Sequence, residues 1–176
     1  MPRLTADEAA AFLDEPGHLL RVATVDADGM PRNVPVWFIR RAGRILFTPR
    51  ARSAFLANLV RDPRVGVTID EAVLPYRKVA VQARVELVHP PGEDDEWREL
   101  YREIAYRYID RPQADAYVDS TIDQPRALVA VPTSGDTARL VTWRMPAEGE
   151  DPTGIWHRRY YLDETYMARL ADGGRP

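Results

Sequence analysis

His18-Leu-Leu-Arg-Val-Ala-Thr-Val25, Asp26-Ala-Asp-Gly29 and the return Arg32-Asn-Val-Pro-Val-Trp-Phe-Ile-Arg40 form one continuous pattern. Apolar residues recur at every second position on either side of an Asp/Gly turn, which specifies an antiparallel hairpin. Pro31 and Pro35 remove ladder donors, so the return strand belongs at a sheet edge, at a bulge or where the backbone faces something other than a strand. Outward from the hairpin, Ala42-Gly43 turns the chain into a third strand over 44–48, and a fourth covers 65–69. Residues 76–88 read as one long strand with Val79, Val81, Ala83, Val85 and Leu87 on one face. Strands over 127–131 and 140–143 complete the set. This is an antiparallel meander of the kind that closes into a small barrel or sandwich. Strict βαβ alternation is missing, which disfavours a doubly wound dinucleotide fold.

Helices interrupt the meander. Thr5 and Glu8 form a capping box before Ala9, Phe12 and Leu13, and Pro16-Gly17 ends that helix. Residues 53–61 carry a stripe of Phe55, Leu56, Leu59 and Val60, stopped by Asp62-Pro63. A helical insert spans 93–124. Its first helix opens on Asp94-Asp95-Glu96 and repeats Trp97, Leu100, Tyr101, Ile104 and Tyr108; Pro112 opens a second, with Tyr117 and Val118 inward.

Composition narrows the chemistry. The 176 residues form one domain, 1–145 including the insert, with a C-terminal extension over 146–176. Cys 0 excludes disulfides, thiolate metal sites and a cysteine nucleophile. His18, His89 and His157 have no ligand spacing, so no metal site is expected; a single histidine ligating haem stays open. Ser53, Ser120 and Ser134 have no nearby histidine and no G-x-S-x-G context. A formal net charge of −3 argues against bulk binding to nucleic acid or an anionic membrane. No apolar run approaches the ~20 residues of a bilayer helix, and the first residues lack a secretory pattern, so a cytoplasmic protein is expected.

Thr48-Pro-Arg-Ala-Arg-Ser53 offers two hydroxyls and two guanidiniums between a strand and the N-terminus of a short helix. Helix dipole, free N–H groups and arginine forks suit phosphate; a solvated basic loop is the alternative. Lys78 is the one lysine among 24 Lys+Arg, placed in a strand, where it either faces a ligand or extends to solvent. Trp156-His-Arg-Arg-Tyr-Tyr161 is either a lid over a planar ligand or a strap on the barrel.

Asp28-Gly-Met-Pro-Arg-Asn-Val-Pro-Val-Trp-Phe38, Ile45-Leu-Phe-Thr48, Asn58-Leu-Val-Arg-Asp-Pro-Arg-Val65 and Tyr76-Arg-Lys-Val-Ala-Val81, in that order, resemble the pyridoxamine 5′-phosphate oxidase-like split β-barrel superfamily. Within it the pattern is similar to the flavin- and deazaflavin-dependent oxidoreductases. The resemblance implies a mainly β, α+β fold: an antiparallel split barrel with a few peripheral helices. It also implies a homodimer with F420 or FMN in each interface groove and hydride transfer to a small molecule. Arg32, Asn33, Val34, Pro35, Val36 and Trp37 would follow the ring edge. Thr48, Arg50, Arg52 and Ser53 would surround the phosphate, Asn58 would belong to the cofactor site, and Lys78 would approach the ring. Phe55 departs from the pattern, since many relatives carry a phosphate-gripping Lys or Arg there. That departure keeps open a non-catalytic split barrel binding flavin, haem or a tetrapyrrole.

Overall fold

A computed structural model describes residues 2–147, 149, 150 and 169. The aromatic-basic block over 155–161 and nearly all of the extension after 147 lie outside them. The chain runs α1 (Ala6–Asp14), β1 (Leu20–Val25), β2 (Pro31–Val36), β3 (Ile39–Arg41), β4 (Arg44–Phe47), α2 (Ala54–Arg61), β5 (Arg64–Asp70) and β6 (Lys78–Arg84). It continues through β7 (Glu86–His89), α3 (Asp94–Ala105), α4 (Arg111–Ser120), β8 (Leu128–Pro132) and β9 (Ala138–Trp143). The strands make two antiparallel sheets, ordered β2-β1-β5-β6-β9 and β3-β4-β8-β7. The fold is a split barrel of mainly β type with peripheral helices.

The hairpin closes as its sequence dictates: Asp26 N–H donates to the Met30 carbonyl at 2.8 Å and Gly29 holds a φ of 88°. Gly29 is needed there because only glycine enters that region without a Cβ clash. β2 is the sheet edge, which tolerates Pro31 and Pro35.

Two expected strands are each divided between the sheets. The return strand over 32–40 breaks at Trp37-Phe38 into β2 and β3. Phe38 enters the core between the sheets, with Phe12, Leu20, Phe47 and Val81, whereas Ile39 enters a second core under the helical insert. Two cores on opposite sides demand a corner, and simple alternation cannot continue through it. Tyr108 fixes that corner: its hydroxyl accepts from Phe38 N–H at 3.1 Å and donates to the His18 carbonyl at 2.7 Å. The expected strand over 76–88 divides likewise into β6 and β7 at Val85, whose N–H donates to the Pro63 carbonyl at 2.8 Å. Beyond that corner Leu87 is exposed rather than inward.

The capping box forms, with Thr5 Oγ1 accepting from Glu8 N–H and Glu8 Oε2 from Thr5 N–H. The other end of α1 has no basic residue of its own. Arg107 reaches over instead and donates to the carbonyls of Leu13, Asp14 and Glu15. On α2 the expected stripe is rotated: Leu56, Asn58 and Leu59 are buried, and Val60 is 66% exposed. α3 and α4 pack Trp97, Tyr101, Ile104 and Val118 on the outer face of the four-stranded sheet, so that sheet is covered on both sides. No described helix is long and apolar enough to cross a membrane.

Candidate functional site

The edge strand β2 ends beside the loop over 48–53, and the insert closes over both. Between them lies a cleft of about 480 Å³ lined by Pro35, Val36, Trp37, Thr48, Arg50, Ser53, Phe55, Tyr101, Tyr117 and Arg126, with Leu19 and Pro49. This size falls within the range of small-molecule sites. The Trp37 indole stacks on the Tyr108 ring, 5.1 Å between centroids and 5° from parallel, and meets the edge of Tyr117 at 5.6 Å. Phe55 stacks against Phe47 at 6.4 Å. One wall is therefore aromatic and rigid.

The opposite wall is cationic. Backbone pairing makes it: Arg50 and Arg126 form a β-bridge, flanked by Ala51 N–H to the Pro125 carbonyl and Ala127 N–H to the Pro49 carbonyl. Residues 76 positions apart thus present two guanidiniums side by side. The Tyr117 hydroxyl accepts from Arg126 at 3.1 Å and Arg50 at 3.4 Å. Burial alone would raise the Tyr117 phenol, but the nearby Tyr101 hydroxyl and the two guanidiniums outweigh it and hold it below its ordinary value. Burial, with Tyr117 alongside, pushes Tyr101 the other way. Ser53 does not cap α2; its hydroxyl donates to the Arg50 carbonyl at 2.7 Å, which tightens the loop. The first N–H groups of α2 gain no side-chain acceptor from it.

Of the residues singled out in the sequence, Pro35, Val36, Trp37, Thr48, Arg50 and Ser53 meet in this cleft. The rest lie elsewhere on the protomer. Arg32 makes a two-pronged pair with Asp26 at 2.8 and 2.7 Å. Asn58 is buried, donating to Thr24 Oγ1 and Asp26 Oδ1 and accepting from Arg61. Arg32, with Asn58, holds Asp26 down to about 2. Val34 packs on the core, Arg52 is exposed, and Asn33 lines a shallow groove on the outer face of the five-stranded sheet. Lys78 is half-buried with its ammonium 5.6 Å from the Trp143 ring centroid, outside the cleft.

Tyr101, Tyr117 and Arg126 were not legible as site residues. The tyrosines follow the apolar repeat of their helices, and Arg126 stands alone before a strand. The backbone bridge to Arg50 brings Arg126 to the loop, and packing of α3 and α4 on the four-stranded sheet brings the tyrosines.

Comparisons with known proteins agree with this architecture. The profile of the pyridoxamine 5′-phosphate oxidase family matches residues 5–134. A conserved hypothetical protein from Mycobacterium tuberculosis superposes with a TM-score of 0.61 at 22% identity, over 84% of this chain and 94% of that one. An F420 reductase superposes with a TM-score of 0.51 at 24% identity, over 68% and 89%. The heme storage protein HutZ from Vibrio cholerae gives 0.57 at 18%, over 80% and 96%. No curated protein matches the chain. A family profile spanning every strand but β9, the insert and every wall of the cleft places this chain in the pyridoxamine 5′-phosphate oxidase family.

Proposed function

We propose that the cleft holds a flavin-type cofactor, F420 or FMN, and that the protein is an oxidoreductase acting with it on a small molecule. The observation that carries this reading is the division of the cleft: a stacked indole on one side, two guanidiniums on the other, and no carboxylate among the described lining residues. A planar ring with an anionic tail has the same division. Trp37, Pro35 and Val36 offer the ring an apolar wall, and Arg50, Thr48, Ser53 and the start of α2 offer the phosphate its donors. Phe55 supplies no charge, so cations must come from other elements. The bound cofactor would supply hydride transfer; the protein supplies orientation, charge and exclusion of water. The fold likeness to an F420 reductase supports the deazaflavin form, and membership of the family supports FMN.

The working unit in this reading is a homodimer. Its support is the outer face of the five-stranded sheet, where Ala23, Gly66 and Ala80 lie among shallow grooves and Val25 and Val141 are exposed. Small residues set among polar ones there, Arg21, Asn33, Thr68 and Gln82, suit close approach of its own copy about a two-fold axis. Lys78 borders that face, so any role at the ring is exercised across the two-fold. A cytoplasmic address, supported by Cys 0, completes the proposal.

A non-catalytic haem or tetrapyrrole carrier is the second reading, favoured by the fold likeness to HutZ. Against it, no described histidine lines the cleft. The absorbance of the purified full chain, before and after titration with FMN and with F420, tests both. Saturable binding of either cofactor is expected; a Soret band with no flavin uptake overturns the proposal. Light scattering that shows a monomer at micromolar concentration overturns the dimer.

A further inference from the structure

Arg126 is the most unusual charge among the described residues. It is only 7% exposed, yet its guanidinium has no carboxylate partner among the described residues; the nearby Asp94 accepts from the Arg126 backbone N–H, at 2.7 Å, and not from the guanidinium. Of its five N–H donors, one goes to the Thr48 carbonyl at 3.0 Å and one to the Tyr117 hydroxyl at 3.1 Å. Its Nε proton is buried without an acceptor. Its planar head lies 4.5 Å from the centroid of the Tyr101 ring.

Arg107 provides the internal contrast. It too lacks a carboxylate among the described residues, and its Nε proton is likewise buried without an acceptor, but three carbonyls at the negative end of α1 take its terminal protons. Arg126 has a single carbonyl and a phenol, and its neighbour in the cleft, Arg50, is another cation. A buried charge without an ion-pair partner is costly, and the exposed cation of Arg50 beside it does not offset that cost. A tetrahedral oxyanion in the cleft would remove that cost. It would accept the spare guanidinium protons in fork geometry and lie beside the hydroxyls of Tyr117 and Thr48.

We infer that Arg126, seconded by Arg50, is the principal anchor of a preformed phosphate subsite at the junction of the insert and the 48–53 loop. The inference rests on reading this cleft as the ligand site, and it supplies the cation that Phe55 does not. The phosphate belongs either to the cofactor or to a separate phosphorylated or free ligand.

The test uses the full chain freed of cofactor and inorganic phosphate as probe, against chloride at equal ionic strength. Calorimetry should show saturable phosphate binding to the parent. Arg126→Met should weaken it at least tenfold, and Arg50→Met by less. Absence of binding to the parent, or an Arg126→Met affinity within twofold of the parent, overturns the inference. Should Arg126→Met fail to fold, Arg126→Lys keeps the charge and loses the fork. At least a threefold loss is then expected, and an unchanged affinity overturns the inference.

FMN and riboflavin distinguish the sources. If the cofactor's phosphate is held, Arg126→Met loses FMN affinity and keeps riboflavin affinity. If the anion is separate, both flavins bind as before while inorganic phosphate is lost. Phosphate binding without any flavin or deazaflavin binding sinks the cofactor reading and leaves the subsite; flavin binding without phosphate binding does the reverse.

Discussion

Two arginines at different ends of the barrel show what the same side chain does under different charge balance. Arg77 lies over the Phe12 ring at 4.7 Å and holds two carboxylates, Glu71 through Oε1 and Oε2 and Glu15 through both of its oxygens. Arg126 lies over the Tyr101 ring at nearly the same distance and holds none. The first is a closed ion-pair cluster, the second an open valence. Paired charge ties α1 to the β5–β6 hairpin; unpaired charge faces a cleft and waits for an anion. The stacking on an aromatic ring is shared, so it does not separate a structural arginine from a binding one. The supply of acceptors does: Arg77 has two carboxylates and Arg107 three carbonyls, whereas Arg126 has one carbonyl and a phenol.

The largest expected effect comes from breaking the closed cluster. Arg77→Met leaves the buried Glu71 without its cation and should cost about 3 kcal/mol in urea unfolding. A loss under about 1 kcal/mol would show that the cluster contributes nothing special. The same cluster sets an acid limit. Arg77 holds the Glu15 and Glu71 carboxyls below their ordinary 4.5. A carboxyl depressed in the folded state stabilises above its unfolded value, and that contribution fades as pH falls through the folded value. Stability of the parent should therefore drop below pH 4.5, and Arg77→Met should show a flatter acid slope. An identical slope in both would break the comparison from the paired side.

Next in size is the corner that aims the cleft wall. Tyr108→Phe removes both bonds at the β2–β3 break and leaves the Phe38 N–H unpaired, at about 1.5 kcal/mol. Trp37 fluorescence should change with it, because the indole stacks on that ring. Thr5→Ala should cost about 1 kcal/mol by removing half of the capping box. The smallest effect belongs to Lys78→Met, about 0.5 kcal/mol from its contact with Trp143. In a cofactor-loaded dimer the same variant has a second readout: a shift of the reduction midpoint marks a contact across the two-fold, and an unchanged midpoint removes Lys78 from the site.

Local patterns carried much of this molecule. The hairpin turn at Asp26–Gly29, the capping box, the edge position of the proline-bearing strand and the two insert helices are all written in short windows, because each depends on contacts within a few residues. One wall of the cleft was legible for the same reason, since Thr48, Arg50 and Ser53 are neighbours in sequence and Pro35, Val36 and Trp37 are a single run.

The sequence by itself determined that this chain builds antiparallel strands around a small core, with an arginine-rich loop entering a helix. Tertiary structure alone decided where strands change sheets, because Phe38 and Ile39 answer to two different cores. It alone rotated α2 so that Asn58 joined Thr24 and Asp26 inside and Val60 faced out. It alone set Arg126 beside Arg50, through a backbone bridge between segments that no short window contains. Periodicity reports which face of an element is apolar; it carries no information about which distant element pairs with it. The charge that completes the site is placed by that pairing.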